Sequence, residues 1–352
     1  MNIPTDRMSP KERVSGFLAG GRTDRVPVAP LLLNLPARVL GVPVKRLYES
    51  GETLGRAHVA AYRKFGQDFI TILTCTANVS EAMGTKLRYP EDDAAMVEEP
   101  GLRTLEAVDD LSPVDPAKDG RLPHYLEATE IAVREVGGEV FVITLPAGPF
   151  TVAAQLRGVE SFFKETVTAP ERIHRLLDVC TESILRFVDA IIDRGGVPCL
   201  AEPVGSGSLC GKKTFREFNQ PYLKRIFDRV RSRGLPALVH ICGKAKPIFE
   251  PWVEAGPDLC SIDWPTDLEW ASRTFGDRVA LLGNVASADY FLQGSVGQIF
   301  EQARICIEKA GRTRRGFVLG SGCEVPLNSP HENVQALVDA ARLHGQDWPP
   351  LD

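Results

Sequence analysis

Apolar residues along this chain gather into short unbroken runs, separated by longer stretches in which they recur every three or four positions. Eight runs have strand length: 26–33, 69–74, 140–145, 197–202, 236–240, 259–263, 279–282 and 316–319. A strand with one wet face alternates apolar and polar residues, whereas a near-continuous apolar strand belongs to a parallel sheet covered on both sides. Helix signals lie between the runs. Ser9-Pro10-Lys11-Glu12 predicts a capping box with proline in the first turn, and Thr168-Ala169-Pro170-Glu171 predicts another. The second opens a stretch in which Ile173, Leu176, Leu177, Cys180, Ile184, Phe187, Val188 and Ile191 keep one stripe at helical spacing, until Gly195-Gly196 stops it.

Strands alternating with helices predict an α/β fold: a single (β/α)8 TIM barrel over residues 1–352, with an N-terminal helix. An open doubly wound sheet is the alternative. It calls for a glycine-rich phosphate loop after an early strand, and neither G-x-G-x-x-G nor a Walker pattern occurs. Strands two and three are joined by a long connection, 75–138, with acidic stretches at Glu91-Asp92-Asp93 and Glu98-Glu99 and a helical pattern near 122–136. We read it as an excursion over the barrel mouth.

The net charge of -5, with no basic run interleaved with aromatics, argues against nucleic acid and anionic membrane as partners. Residues 1–7 lack the apolar core of a signal peptide. The most apolar stretch, 140–156, is broken by Pro146, Gly148 and Pro149 and predicts no spanning helix. Eight scattered cysteines without secretory signals read as reduced thiols of a cytoplasmic protein.

In such a barrel the C-terminal strand ends carry the chemistry. Here they bear Glu202 after strand four, His240 and Cys242 after five, Asp263 after six, Asn284 after seven, and Cys323 and Glu324 after eight. An imidazole and a thiolate two apart on an extended segment point to one side and can grip a soft metal ion. A distant third thiolate completes a catalytic zinc site with a position left open. The competing reading makes both cysteines small buried hydrophobes and His240 a neutral core residue. The gathering of metal-capable groups at one end of the barrel favours the metal.

Glu202 is the expected fourth ligand, with roles as base or supporting partner left open, and Asp263, Asn284 and Glu324 are expected to meet substrate. Strand eight lies across the barrel from strand five, so Cys323 is expected on a loop folded inward, with Gly320-Ser321-Gly322 as its permissive backbone. His58, His124, His174, His331 and His344 are expected at the surface.

Several segments resemble the uroporphyrinogen decarboxylase family over nearly the whole chain. They are Asp24-Arg25-Val26-Pro27-Val28, Gly148-Pro149-Phe150-Thr151, Thr214-Phe215-Arg216-Glu217-Phe218, Val239-His240-Ile241-Cys242-Gly243, Leu282-Gly283-Asn284-Val285, Gly322-Cys323-Glu324-Val325-Pro326 and Ser329-Pro330-His331-Glu332-Asn333. The resemblance implies a single (β/α)8 barrel. The decarboxylase branch carries Arg-Gln-Ala-Gly-Arg-Tyr behind its first strand, where this chain has Leu33-Asn34-Leu35-Pro36-Ala37-Arg38. H-x-C with a late cysteine is instead similar to the zinc-dependent methyltransferase branch, whose ligands fall where His240, Cys242 and Cys323 stand.

That likeness implies methyl transfer between a small methylated substrate and the cobalt of a separate corrinoid protein. Aryl methyl ether O-demethylation is favoured, because the thiol-using branch tends to have glycine where this chain has Glu324. Such a glutamate could bond a substrate hydroxyl or shuttle a proton. Transfer from a methylcorrinoid protein to a thiol such as coenzyme M, a uroporphyrinogen decarboxylase-like lyase without metal, and a non-catalytic binding protein for a corrinoid or tetrapyrrole are the alternatives. No histidine has aspartate two residues before it, so D-x-H-x-x-G is absent and the corrinoid is expected on a partner that docks at the mouth.

Overall fold

All eight apolar runs become parallel strands in the computed structural model, which describes residues 2–311 and 313–348. In chain order the strands are β1 (Val28–Leu31), β2 (Phe69–Ile72), β3 (Lys86–Arg88), β4 (Met96–Glu99), β5 (Phe141–Thr144), β6 (Val197–Ala201), β7 (Leu238–Ile241), β8 (Leu259–Ile262), β9 (Ala280–Val285) and β10 (Phe317–Glu324). The large sheet runs β1-β10-β9-β8-β7-β6-β5-β2. Its two ends meet through Asp68. The Asp68 amide donates to the Val28 carbonyl at 2.8 Å, and its Oδ2 accepts from the Val28 amide at 2.7 Å. A side chain thus replaces part of a backbone ladder and closes the (β/α)8 barrel.

That closure explains the Asp24-Arg25 pair ahead of β1. Asp68 is gripped by Arg13 at 2.6 Å and Arg25 at 2.7 Å, while Arg13 also holds Asp24 at 2.7 Å. Buried charges persist only when each finds a partner, and here each does. The helix Pro10–Leu18 that supplies Arg13 begins with the expected Ser9–Glu12 capping box. Its Phe17 and Leu18 reach the N-terminal end of the barrel and, with Phe69, Leu238 and Leu259, line an apolar cavity of about 70 Å³ in the barrel interior.

The long helix Pro170–Asp193 buries the predicted stripe but lacks the predicted cap. Its N-cap is Ala169 without a side-chain bond, because the preceding helix runs through Thr168, whose hydroxyl donates to the Lys164 carbonyl.

The excursion between β2 and β5 holds the expected helix Leu122–Val136 and an unforeseen antiparallel hairpin of β3 and β4. Both hairpin strands are largely exposed, so no apolar run marks them. The segment is tied to the mouth: the Ala95 amide donates to the Tyr48 hydroxyl at 2.9 Å, and that hydroxyl reaches the carbonyl of Thr74 just beyond β2. Among the described residues no helix is long and apolar enough to cross a membrane.

Candidate metal centre

Leu238 and His240 alternate inward along β7, and Cys242 follows two residues on. His240 Nε2 lies 3.1 Å from Cys242 Sγ and 3.8 Å from Cys323 Sγ, and the two sulfurs are 3.4 Å apart. The other ring nitrogen, Nδ1, is 2.9 Å from the hydroxyl of Ser261, the register partner of His240 on β8. A bond from Nδ1–H to that hydroxyl leaves the Nε2 lone pair facing the sulfurs, the arrangement by which metal-binding histidines are oriented.

Cys323 does not come in on a loop, as its distance across the barrel suggested. It stands in β10 itself, within an irregularity of register: Ala29 pairs with Gly320 but Leu31 pairs with Glu324, so β10 holds two more residues than β1 over this span. The extra residues swing the strand toward β8. A Cβ at Gly322 would sit 2.7 Å from the Trp264 amide nitrogen and 2.8 Å from Asp263 Oδ1. Glycine therefore serves close approach here, not a turn. Ser287 holds the result in place: its hydroxyl donates to the Cys323 carbonyl at 2.9 Å and accepts from the Cys323 amide at 3.2 Å.

The two thiols are within hydrogen-bond reach of each other. Their mutual hydrogen bond, helped by His240, pulls Cys323 well below the ordinary thiol range against the effect of burial. The same bond and burial push Cys242 up. The pair thus yields its first proton readily and its second only when a cation compensates the charge.

Glu202 stands apart from this cluster, contrary to its expected place as fourth ligand. It is fully buried. Its carboxylate accepts from the Thr151 amide at 2.7 Å, the Phe150 amide at 3.2 Å and the Thr151 hydroxyl. These are the first donors of the helix Pro149–Arg157, so Glu202 caps that helix from another strand. Burial lifts its carboxyl to about 7 against the pull of the Thr151 and Phe150 bonds. A Cβ at Gly148 would collide with Glu202 Oε2, which accounts for the Gly-Pro-Phe-Thr motif.

Asp263 accepts from the Gly243 amide at 2.8 Å and the Trp264 amide at 2.7 Å, fixing the loop that carries Cys242. Burial raises its carboxyl above the usual range. Asn284 donates to the carbonyls of Thr266 at 2.8 Å and Asp263 at 3.3 Å, and accepts from Cys306. Its amide is taken up by loop and helix. Glu324 does reach the mouth, where its Oε1 meets Asn34; burial lifts its carboxyl to about 7, while the Asn34 bonds pull the other way. The remaining histidines are less exposed than expected: His58 is 2% exposed, and burial alone pushes its imidazole down to about 3. The other four are half-buried.

The protein-family comparison decides the lineage: the uroporphyrinogen decarboxylase model matches residues 9–344.

The chain belongs to the uroporphyrinogen decarboxylase family.

Within that family it is similar to the methylcobamide:CoM methyltransferase MtaA of Methanosarcina barkeri, 29% identical over 342 residues that cover 94% of this chain and 96% of the relative. It is also 28% identical to a uroporphyrinogen decarboxylase of Carboxydothermus hydrogenoformans, over 79% of each chain. Among solved structures, a methyltransferase from Methanosarcina mazei superposes with a TM-score of 0.86 at 28% identity, covering 95% of this chain and 98% of that one. Its place by the methyltransferase branch of the uroporphyrinogen decarboxylase family is thus shown, and methyl transfer is the general chemistry its relatives support.

One nitrogen and two sulfurs form a donor set suited to zinc. Ligands at zinc's usual bond lengths stand about 3.5–3.8 Å apart around a tetrahedral ion. Of the separations in this barrel, 3.8 Å falls in that range, and 3.4 and 3.1 Å are shorter than it. Sequence reasoning missed Ser261, Ser287 and Asn34, which hold His240, Cys323 and Glu324. Only Ser261 had a usable signal, its position opposite His240 on the neighbouring strand.

Proposed function

We propose that this protein moves a methyl group between a small substrate and the cobalt of a separate corrinoid protein, with zinc held by His240, Cys242 and Cys323. The observation that carries the reading is the convergence of these three ligand atoms, all within 4.8 Å of one another, at the open end of the barrel. Zinc there would supply a Lewis acid with an exchangeable position for a substrate sulfur or oxygen.

The chain's own groups do the rest. Ser261 keeps Nε2 of His240 aimed at the two sulfurs. Ser287 clamps Cys323 through both its amide and its carbonyl, so the backbone that carries the thiolate is held in place. Glu324, one residue from Cys323, can take or return the proton that a thiol or alcohol exchanges with its methyl group, and burial brings it to about 7, suitable for that task.

Two directions of transfer have support. The likeness to the methylcobamide:CoM methyltransferase of Methanosarcina barkeri favours a thiol as acceptor. The proton-handling carboxyl beside Cys323 favours the demethylation of an aryl methyl ether, whose departing oxygen needs a proton. The experiment mixes the zinc-loaded chain with methylcobalamin and a thiol, and separately with a reduced corrinoid protein and a methoxyphenol, following the visible absorbance of cobalt. Loss of the methyl–cobalt band in the first mixture, or its growth in the second, is expected. Unchanged spectra in both would contradict the reading.

A further inference from the structure

The end of the barrel opposite the metal centre carries a cleft that metal binding does not use. Its rim holds Arg231, Asp258, Arg278 and Arg315, which stand ahead of β7, β8, β9 and β10 in turn. Its floor is apolar, built from Phe17, Leu18, Leu235, Pro236, Leu259 and Ala280. The segments that carry Arg278 and Arg315 are tied together. The Arg315 amide donates to the Gly276 carbonyl at 2.8 Å, and the Arg278 amide donates to the Phe275 carbonyl at 2.9 Å.

The four charges of the rim differ in what they touch. Arg231 donates to the Gly256 carbonyl and to Asp228 Oδ1 at 3.1 Å, and lies 3.7 Å from Asp258 Oδ2. That oxygen of Asp258 also accepts from the Ala237 amide at 2.8 Å. Arg278 and Arg315 are exposed, and neither guanidinium has a hydrogen bond or an ion pair among the described residues. Glu250 lies near enough to feel Arg278, but it is already paired with Lys212 and Arg216. Two uncommitted guanidiniums thus border one apolar floor.

That floor is also a wall of the interior cavity: Phe17, Leu18, Leu235, Pro236 and Leu259 line both spaces. Phe17 is seated against the backbone at Gly316, where a Cβ would collide with its ring. Leu18, 47% exposed, is left as the side chain free to turn at the join. Beyond it, TIM barrels normally fill their interior with branched side chains. Here Ala29, Thr71 and Cys199 stand among the lining residues, and about 70 Å³ is left between the walls. Only Thr71, Cys199, His240 and Ser261 bring heteroatoms to that lining. An apolar cavity of about 150 Å³ stays dry and takes benzene, so this one suits a chain of about three or four carbons. The tip of such a chain would lie against His240 and Ser261, below the sulfurs.

An arginine fork matches the two oxygens of a carboxylate, and the apolar surface beside it accepts hydrocarbon. We propose that this end of the barrel binds an aliphatic monocarboxylate, its head held by Arg278 and Arg315 and its alkyl chain passing Leu18 into the interior cavity. The site depends neither on the metal nor on methyl transfer.

Calorimetric titration of the full chain with hexanoate and acetate tests it, with hexan-1-ol and hexylammonium as tails that lack the anion. Hexanoate is expected to bind about tenfold more tightly than acetate, or better, since each buried CH2 adds roughly fourfold. It is expected to exceed hexan-1-ol and hexylammonium by about tenfold as well, through its charged hydrogen bonds. Arg278→Gln combined with Arg315→Gln is expected to remove the advantage of hexanoate over hexan-1-ol. Both side chains are exposed, so the fold should survive, which circular dichroism checks. Cys199→Met, which extends an apolar chain into the cavity, is expected to weaken hexanoate by about tenfold and leave acetate as before. Hexanoate affinity should be the same in the zinc-loaded chain and after removal of zinc by a chelator. Equal binding of acetate and hexanoate, or of hexylammonium and hexanoate, would overturn the proposal. So would a hexanoate affinity that needs zinc, or one that either the double arginine variant or Cys199→Met leaves unchanged.

Discussion

The sulfurs of Cys242 and Cys323, 81 residues apart in the chain, lie 3.4 Å from each other. They belong to segments with two other strands of the barrel between them, so the approach has to be built. It is built by the two extra residues in β10 and by the absence of a side chain at Gly322.

Gly322→Ala would press a methyl group against the Trp264 amide and Asp263 Oδ1, at 2.7 and 2.8 Å. Overpacking of this size destabilises by about 1–3 kcal/mol. Because relief moves β10 away from β8, the larger effect should fall on metal affinity, weakened by roughly tenfold or more, about 1.4 kcal/mol. Competition against a chromophoric chelator reads the affinity, and urea unfolding reads the stability.

Ser261→Ala removes the hydroxyl on His240 Nδ1 and frees the ring to turn. Loss of such an orienting partner typically lowers metal affinity by roughly 10- to 100-fold. The same chelator competition should show that drop with little change in the unfolding midpoint. An equal affinity in both proteins would mean that packing alone orients the ring.

Glu202 predicts a pH dependence of stability. Its carboxyl ionises near 7 in the folded chain and near the ordinary 4.5 when unfolded. Below about 4.5 both states hold the proton and no penalty arises. Between about 4.5 and 7 the unfolded state releases its proton first, so stability falls as pH rises. Above 7 both are ionised and the penalty is constant, on the order of 3 kcal/mol. Urea midpoints of the unaltered chain compared with Glu202→Gln across pH 4 to 8 should show this decline in the former and its loss in the latter.

Legibility in the sequence follows physical causes residue by residue. The eight strands could be read because both faces are covered, so apolar runs alone mark them. His240 and Cys242 could be read because extended backbone has a period of two. Glu202 could not be placed so easily: beyond the last ladder bond of β6 that period no longer decides which way a side chain turns, and the exposed amides of Phe150 and Thr151 claimed it. Cys323 was expected on a loop because a change of register leaves no mark in composition. Thr168 failed as a cap because another helix already used it. The β3–β4 hairpin escaped notice because its residues are wet on both sides. His58 shows that polar neighbours along the chain say little about burial in a helix packed on two sides.

The central claim, that His240, Cys242 and Cys323 hold zinc, is tested most directly by metal content. Purified unaltered chain should carry about one zinc per molecule, as one tetrahedral site requires. His240→Ala, Cys242→Ala and Cys323→Ala should lose it, while Glu202→Gln keeps it. Stoichiometric zinc that survives loss of either cysteine, or its absence from the unaltered chain after reconstitution with excess zinc, would contradict the account.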